Sequence, residues 1–178
     1  MSVTRELTAS DGERLQLFLS EVPADDRSFL KEDLTDPAVT DRWLHDERSL
    51  RLVVVDDDGE RVLAFAALSP GLARTSHVGD LRVVVAADAR GAGLGRSLTR
   101  RMLGEAVRRG LRKVTVEVAA TQTAVIEMFR RVGFEPEALL CDQLCDAFGE
   151  LQDIVVLAHM VDDTWSTMLT AGTDKALE

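Results

Sequence analysis

Apolar and polar residues alternate briefly in VTREL, from Val3, and SDGERLQLFLSEV then spaces its apolar residues three and four apart at Leu15, Phe18 and Leu19. A period of two marks a strand and one near 3.6 a helix, so the chain is expected to begin with a strand and then a helix, Ser10 capping it and Glu13 three residues on. From Pro23 to Asp41 the text is polar, with Phe29, Leu30 and Leu34 as apolar anchors. DPAVTDRWLHDE predicts a short helix with Asp36 at its cap and Pro37 at its first position. LRLVVVDDDGERVLAFAALS reads as two strands, Leu50 to Val55 and Arg61 to Ser69, joined by a turn in which Asp58 and Gly59 can take positive φ. HVGDLRVVV predicts a fourth strand, and GLGRSLTRRMLGEAVRRG a helix with Leu94, Leu98, Met102 and Ala106 at four-residue steps, ended by Gly110. LRKVTVEVAA is a fifth strand, TQTAVIEMFRRVGF a helix stopped at Gly133, and the last two strands run from Phe134 to Cys145 and Leu151 to Met160.

That order predicts an α/β fold with one mixed, mostly antiparallel seven-stranded sheet and helices on both faces. One β-α-β crossover spans Val78 to Val118. A single domain is expected over residues 1–160, with 161–178 a tail or short helix, since only Trp165, Met168 and Leu169 stand out there. At 178 residues the chain is long enough to bury a stable core without a disulfide or metal.

Charge changes the picture more than bulk composition does. The formal net charge of -10 argues against general nucleic-acid binding, which depends on neutralising phosphates. Residues 1–60 alone carry 16 acids and 7 bases, whereas Arg90 to Lys113 holds eight bases and one acid, Glu105. An acidic first third beside a basic segment suits an anionic cofactor with a cationic acceptor near it, although solvated helix faces would show the same bias. No basic start followed by an apolar run appears, nor any stretch of about 18 apolar residues, so a cytoplasmic protein without membrane contact is expected. Cys141 and Cys145 have no histidine nearby to complete a zinc site, and read as reduced structural thiols with no metal bound.

The segment AADARGAGLGRSL follows the valines of the fourth strand with three glycines at alternate positions, Gly91, Gly93 and Gly95. Glycine gives up backbone entropy, so something here requires bare backbone. A strand, a glycine turn and a helix start together bind phosphate, because the first helix amides lack internal partners and the helix dipole favours an anion. A P-loop would need Lys and then Ser or Thr after the second glycine, and neither is present. A dinucleotide fold would need G-x-G-x-x-G and an acid at a strand end; the spacing differs, and Glu117, 22 residues past Gly95, lies inside its strand.

Arg90 to Gly95 resembles the R/Q-x-x-G-x-G/A signature of the GNAT superfamily of acetyl-CoA-dependent N-acetyltransferases. QTAVIEMFRRVGF, Gln122 to Phe134, is similar to that family's second helix motif, N-x-x-A-x-x-L-Y-x-x-x-G-F, and the element order agrees over about residues 3–160. The resemblance implies the GNAT fold, with the fourth and fifth strands splayed apart and acetyl-CoA as cosubstrate. It implies that the pyrophosphate lies on the amides of Gly91, Ala92, Gly93, Leu94, Gly95 and Arg96, next to Arg90, with Ser97 adding a hydroxyl. The pantetheine arm would pair with the backbone of Val83 and Val85 on the strand segment Val83, Val84, Val85. Gln122 would replace the family's asparagine and Phe129 would pack on the arm. Arg96, Arg100, Arg130 or Arg131 would meet the 3′-phosphate, unless they are only a solvated face.

Acyl transfer to an amine requires an unprotonated amine, a polarised carbonyl and an acid for the departing thiolate. The family's acid is a tyrosine at the position of Phe129, and this chain contains no tyrosine. Candidate bases are Asp80 and Glu117, working through water, with His77 a third. A buried pairing of Arg82 with one of those acids, and a structural position for His77, are the plainer alternatives. The acceptor would be framed by Pro23 to His45, where Glu32, Asp33 and Asp36 attract a cation and Phe29 and Trp43 pack its apolar part. The function implied is acetyl transfer to a primary amine of a small molecule or a protein, and a homodimer is compatible with the sequence. A noncatalytic acyl-CoA sensor and a partner-binding module with a vestigial pocket are the alternatives.

Overall fold

The computed structural model describes residues 2–23, 32, 36–146 and 149–162. Seven strands form one sheet: β1 (Val3–Glu6), β2 (Leu50–Val55), β3 (Val62–Pro70), β4 (Val78–Val85), β5 (Lys113–Ala119), β6 (Glu135–Cys145) and β7 (Leu151–Met160). Their order is β1-β2-β3-β4-β5-β7-β6, and every neighbouring pair is antiparallel except β4 and β5. That parallel pair is joined by helix α3 (Leu94–Arg108), the expected crossover.

Helices α1 (Gly12–Glu21) and α2 (Pro37–His45) cover one face, and α3 and α4 (Thr123–Arg130) cover the other. The two cores follow from strand alternation. Val53, Val55, Phe65 and Ala67 face Leu15, Phe18, Leu19 and Trp43, while Leu52, Val54, Ala64, Ala66 and Leu81 face Leu98, Met102 and Ala106. With both faces covered, β2 is buried at all six positions, and its sequence is apolar at five of them, the exception being Arg51, whose guanidinium bonds Asp46.

Local signals place most boundaries. Asp36 Oδ1 accepts the Ala38 amide at 2.9 Å, as expected of the α2 cap, and Gly110 (φ +69°) ends α3. The start of α1 differs from expectation. A tight turn over Ala9–Asp11 comes first, in which the Thr8 amide donates to Asp11 Oδ2 at 2.9 Å, so Asp11 organises the entry and Ser10 caps nothing. Arg5 Nη1 and Nη2 each reach the Asp11 carboxylate at 2.6 Å, which explains how an aspartate is fully buried there. In the β2–β3 turn only Gly59 takes positive φ (+74°), and Asp58 does not. Cys141 and Cys145 are free and exposed on the edge strand β6, so they are not part of the packed interior. Of the C-terminal tail, the described residues end at Asp162.

Candidate active site in the strand splay

β4 and β5 are paired only at Val78, Gly79 and Asp80 against Lys113, Val114 and Thr115. β4 stays bonded to β3 as far as Val85, and β5 to β7 as far as Ala119, so each strand is held from its outer side while the two part beyond Asp80. The gap opens a cleft of about 810 Å³ through the sheet. Leu81, Val83, Val85, Val116, Val118, Met128 and Phe129 wall it on the α3/α4 side, and Asp80, Arg82, Val84 and Glu117 on the other. The expected splay is therefore present.

At one end stands the glycine loop. Arg61 grips Asp88 with two hydrogen bonds of 2.8 and 2.9 Å, fixing the turn that enters the loop, and Arg90 Nε donates to the Val85 carbonyl at 3.3 Å. Gly91 (φ +79°) and Gly93 (φ +82°) are left-handed, and a Cβ at either would meet nothing within 4 Å. Gly93 is the cap residue of α3 and, as a glycine, makes no side-chain bond to the first-turn amides, an arrangement suited to an anion. At Gly95 a Cβ would make only ordinary contact, with Val85 Cγ2 at 3.6 Å, so packing does not require a glycine there.

Of the expected cofactor contacts, Val83, Val84, Val85, Arg90, Gly91, Gly93, Leu94, Gly95, Arg96, Gln122 and Phe129 line the cleft. Ala92 and Ser97 do not; both are exposed, Ala92 in the loop and Ser97 in the first turn of α3. Among the arginines Arg96 and Arg131 line it, and Arg100 and Arg130 do not. Phe129 is 2% exposed and packs edge-on against Phe134 at 5.3 Å, so it belongs to both core and cleft wall.

Asp80 and Glu117 line the cleft from facing strands. His77 does not. It is exposed just before β4, at the end where the strands are still paired, and its carbonyl accepts the Arg112 and Lys113 amides. Arg82 Nε lies 3.5 Å from Asp80 Oδ2, while Arg82 Nη1 bonds Glu32, whose carboxylate also takes Arg42 of α2. Burial would push the Glu32 carboxyl up, but Arg82 and Arg42 outweigh it and hold it below the usual range.

The expected acceptor frame is thus corrected in three places. The Glu32 charge is spent on two guanidinium groups, Asp36 is the α2 cap, and Trp43 is 8% exposed and stacked on Phe65 at 5.1 Å. Phe29 and Asp33 lie outside the described residues. The cleft contributions of Leu81, Val116, Val118 and Met128 were not anticipated, although alternation places the first three on one sheet face. Val22, at the end of α1, carries no signal in the sequence that would find it. Among the described residues no group of three or more His, Cys, Asp or Glu is placed to hold a metal, and no helix is long and apolar enough to cross a membrane.

Comparison with known proteins agrees with this geometry. A mycothiol acetyltransferase from Kocuria rhizophila is 32% identical over 93 residues, 51% of this chain and 31% of the relative, so the chain matches about a third of that relative's length. A ribosomal-protein-alanine N-acetyltransferase from Brucella melitensis superposes with a TM-score of 0.76 at 25% identity, covering 89% of this chain and 99% of the other. A spermidine N-acetyltransferase from Vibrio cholerae, solved in complex with CoA and spermine, shares the fold with a TM-score of 0.76 at 18% identity, over 90% and 96% of the two chains. The family model described as "Acetyltransferase (GNAT) family" matches residues 16–134, most of the elements that build the cleft, and the chain belongs to that family.

Proposed function

We propose that the chain transfers an acetyl group from acetyl-CoA to a primary amine. The observation that carries this reading is the cleft itself, which joins an open glycine loop at a helix start to a gap between two parallel strands. The fit is chemical as well as spatial. Left-handed glycines with no Cβ and uncapped amides suit a pyrophosphate, and the apolar wall from Val83 to Met128 suits an extended pantetheine arm. Arg96 and Arg131 are the arginines positioned for a further phosphate. When bound, acetyl-CoA supplies the activated thioester.

The chain's own groups set up the rest. Glu117 projects to the α1/α2 side of the splay and is the proposed base, receiving the amine proton through water. Asp80 is the second candidate, but it is engaged by Arg82. Without a tyrosine the departing thiolate has no family-type acid, which is tolerable because a thiol of pKa about 8.5 leaves readily as its anion near neutral pH. Family membership favours catalysis over a noncatalytic sensor.

Calorimetric titration with acetyl-CoA, using NADH and ATP as controls, tests the cofactor assignment, and thiol release with a panel of amines tests turnover. Binding of acetyl-CoA alone, followed by amine-dependent thiol release, is expected. Absence of acetyl-CoA binding would remove the basis for every cofactor residue named above.

A further inference from the structure

The acceptor side of the cleft holds a charge pattern that acetyl transfer alone does not require. Asp80 and Arg82 stand two residues apart on β4, so both leave the same face of the sheet, and Glu117 faces them from β5. Among the described residues Arg82 is the cation beside these carboxylates. Its side chain is 32% exposed, with Nε toward Asp80 and Nη1 on Glu32, and among the described residues its Nη2 makes no hydrogen bond. Glu32 is not part of the sheet. It comes from the connection between α1 and α2, fifty positions earlier, and is held on its other side by Arg42. Its carboxylate therefore sits on a cleft guanidinium from outside the cleft's own walls.

We propose that Arg82 reads a carboxylate on the acceptor, which makes the substrate class amino acids and other amines bearing a carboxylate, and that Glu32 holds this position until such an acceptor replaces it. The inference rests on the acetyl-transfer reading of the same cleft. A zwitterion matches the wall at both ends, its ammonium toward Asp80 and Glu117 and its carboxylate on the planar guanidinium fork. Exchange with Glu32 swaps one carboxylate for another on the same donor, so little electrostatic stabilisation is lost. A diamine, by contrast, would set a second cation near Arg82.

The sign of selectivity is diagnostic. Among the described residues the acceptor wall is acidic apart from Arg82, so without Arg82 the more cationic carboxamide of an amino acid should bind better than the free acid. The test is a calorimetric titration of the protein, alone and saturated with CoA, with L-amino acids and their carboxamides. The free acids are expected to bind at least tenfold more tightly. Arg82→Gln should erase or reverse that preference, Arg82→Lys should retain part of it, and Glu32→Gln should tighten the acids several-fold with CoA affinity unchanged. Thermal midpoints for each variant show that it is folded. Equal binding of acids and amides, no binding of either, or a preference that survives in Arg82→Gln would overturn the proposal. An Arg82-dependent preference with no thiol release from acetyl-CoA would leave it standing and overturn the acetyl-transfer reading instead.

Discussion

Gly93→Ala separates backbone strain from cofactor approach at the glycine loop. Gly93 sits at φ +82°, where an alanine costs about 1–2 kcal/mol because its Cβ crowds the carbonyl oxygen. Among the protein's own atoms that Cβ meets nothing within 4 Å, so strain is the whole intrinsic cost. If the loop keeps its shape, the cost appears in stability, a fall in Tm of about 2–8 °C at roughly 2–4 °C per kcal/mol for a chain of this size. If the loop relaxes when empty, the same 1–2 kcal/mol appears on binding, as about 5- to 30-fold weaker acetyl-CoA. Contact between the new methyl and a phosphate adds to the second figure only. Gly59→Ala is the matched control, since Gly59 lies at φ +74° in the β2–β3 turn with the same open surroundings. Differential scanning calorimetry and acetyl-CoA titration of both variants measure the partition. An unchanged Tm together with an unchanged Kd for Gly93→Ala would refute the strain argument. Equal weakening of acetyl-CoA by Gly59→Ala would refute the placement of the pyrophosphate.

Further outcomes are expected elsewhere in the molecule. Glu117→Gln should lower kcat by about 10² to 10⁴ and leave acetyl-CoA affinity within a factor of two or so; an unchanged kcat across pH would shift the base to Asp80. Gly133→Ala combines a φ of +102° with a Cβ only 3.2 Å from the His159 ring, whose Nδ1 is 2.7 Å from the Gly133 carbonyl oxygen, so thermal unfolding should show a loss above about 2 kcal/mol. Asp11 is held well below the usual carboxylate range by its hydrogen bonds from Arg5, with burial opposing and Thr8 assisting, and Asp46 is lowered to about 2 by hydrogen bonds from Arg51 and then Ser49. Both are depressed in the fold, so their stabilisation is complete above the unfolded value near pH 4 and is lost as pH falls through the folded values. Urea midpoints should therefore drop between about pH 4 and 2, and Asp11→Asn should flatten that drop while lowering stability at pH 7. A midpoint independent of pH in that window would contradict the assignment.

Short-range chemistry was the part that could be read from residue order. Alternation in β4 and β5, four-residue steps in α3, Asp36 before Pro37, and glycines at 91, 93 and 110 each encode their conformation within a few residues, because handedness, capping and side-chain period are local properties. The two motifs added the family, and with it the splay and the glycine loop. Partner choice was not legible in that way. Trp43 and Glu32 read as substrate contacts, yet Trp43 is buried on Phe65 and Glu32 is bound by Arg82 from β4, fifty residues away. His77 has a suitable side chain for proton transfer but lies where β4 and β5 are still hydrogen-bonded. Ser10 and Asp11 are both competent caps, and Arg5 on β1 decided between them by bringing a guanidinium to Asp11. Burial and ion pairing depend on which elements meet across the sheet, and that distance in sequence leaves no periodic trace. The residue order thus determined the elements and the glycine loop, and the tertiary structure alone decided which charged side chains pair with one another.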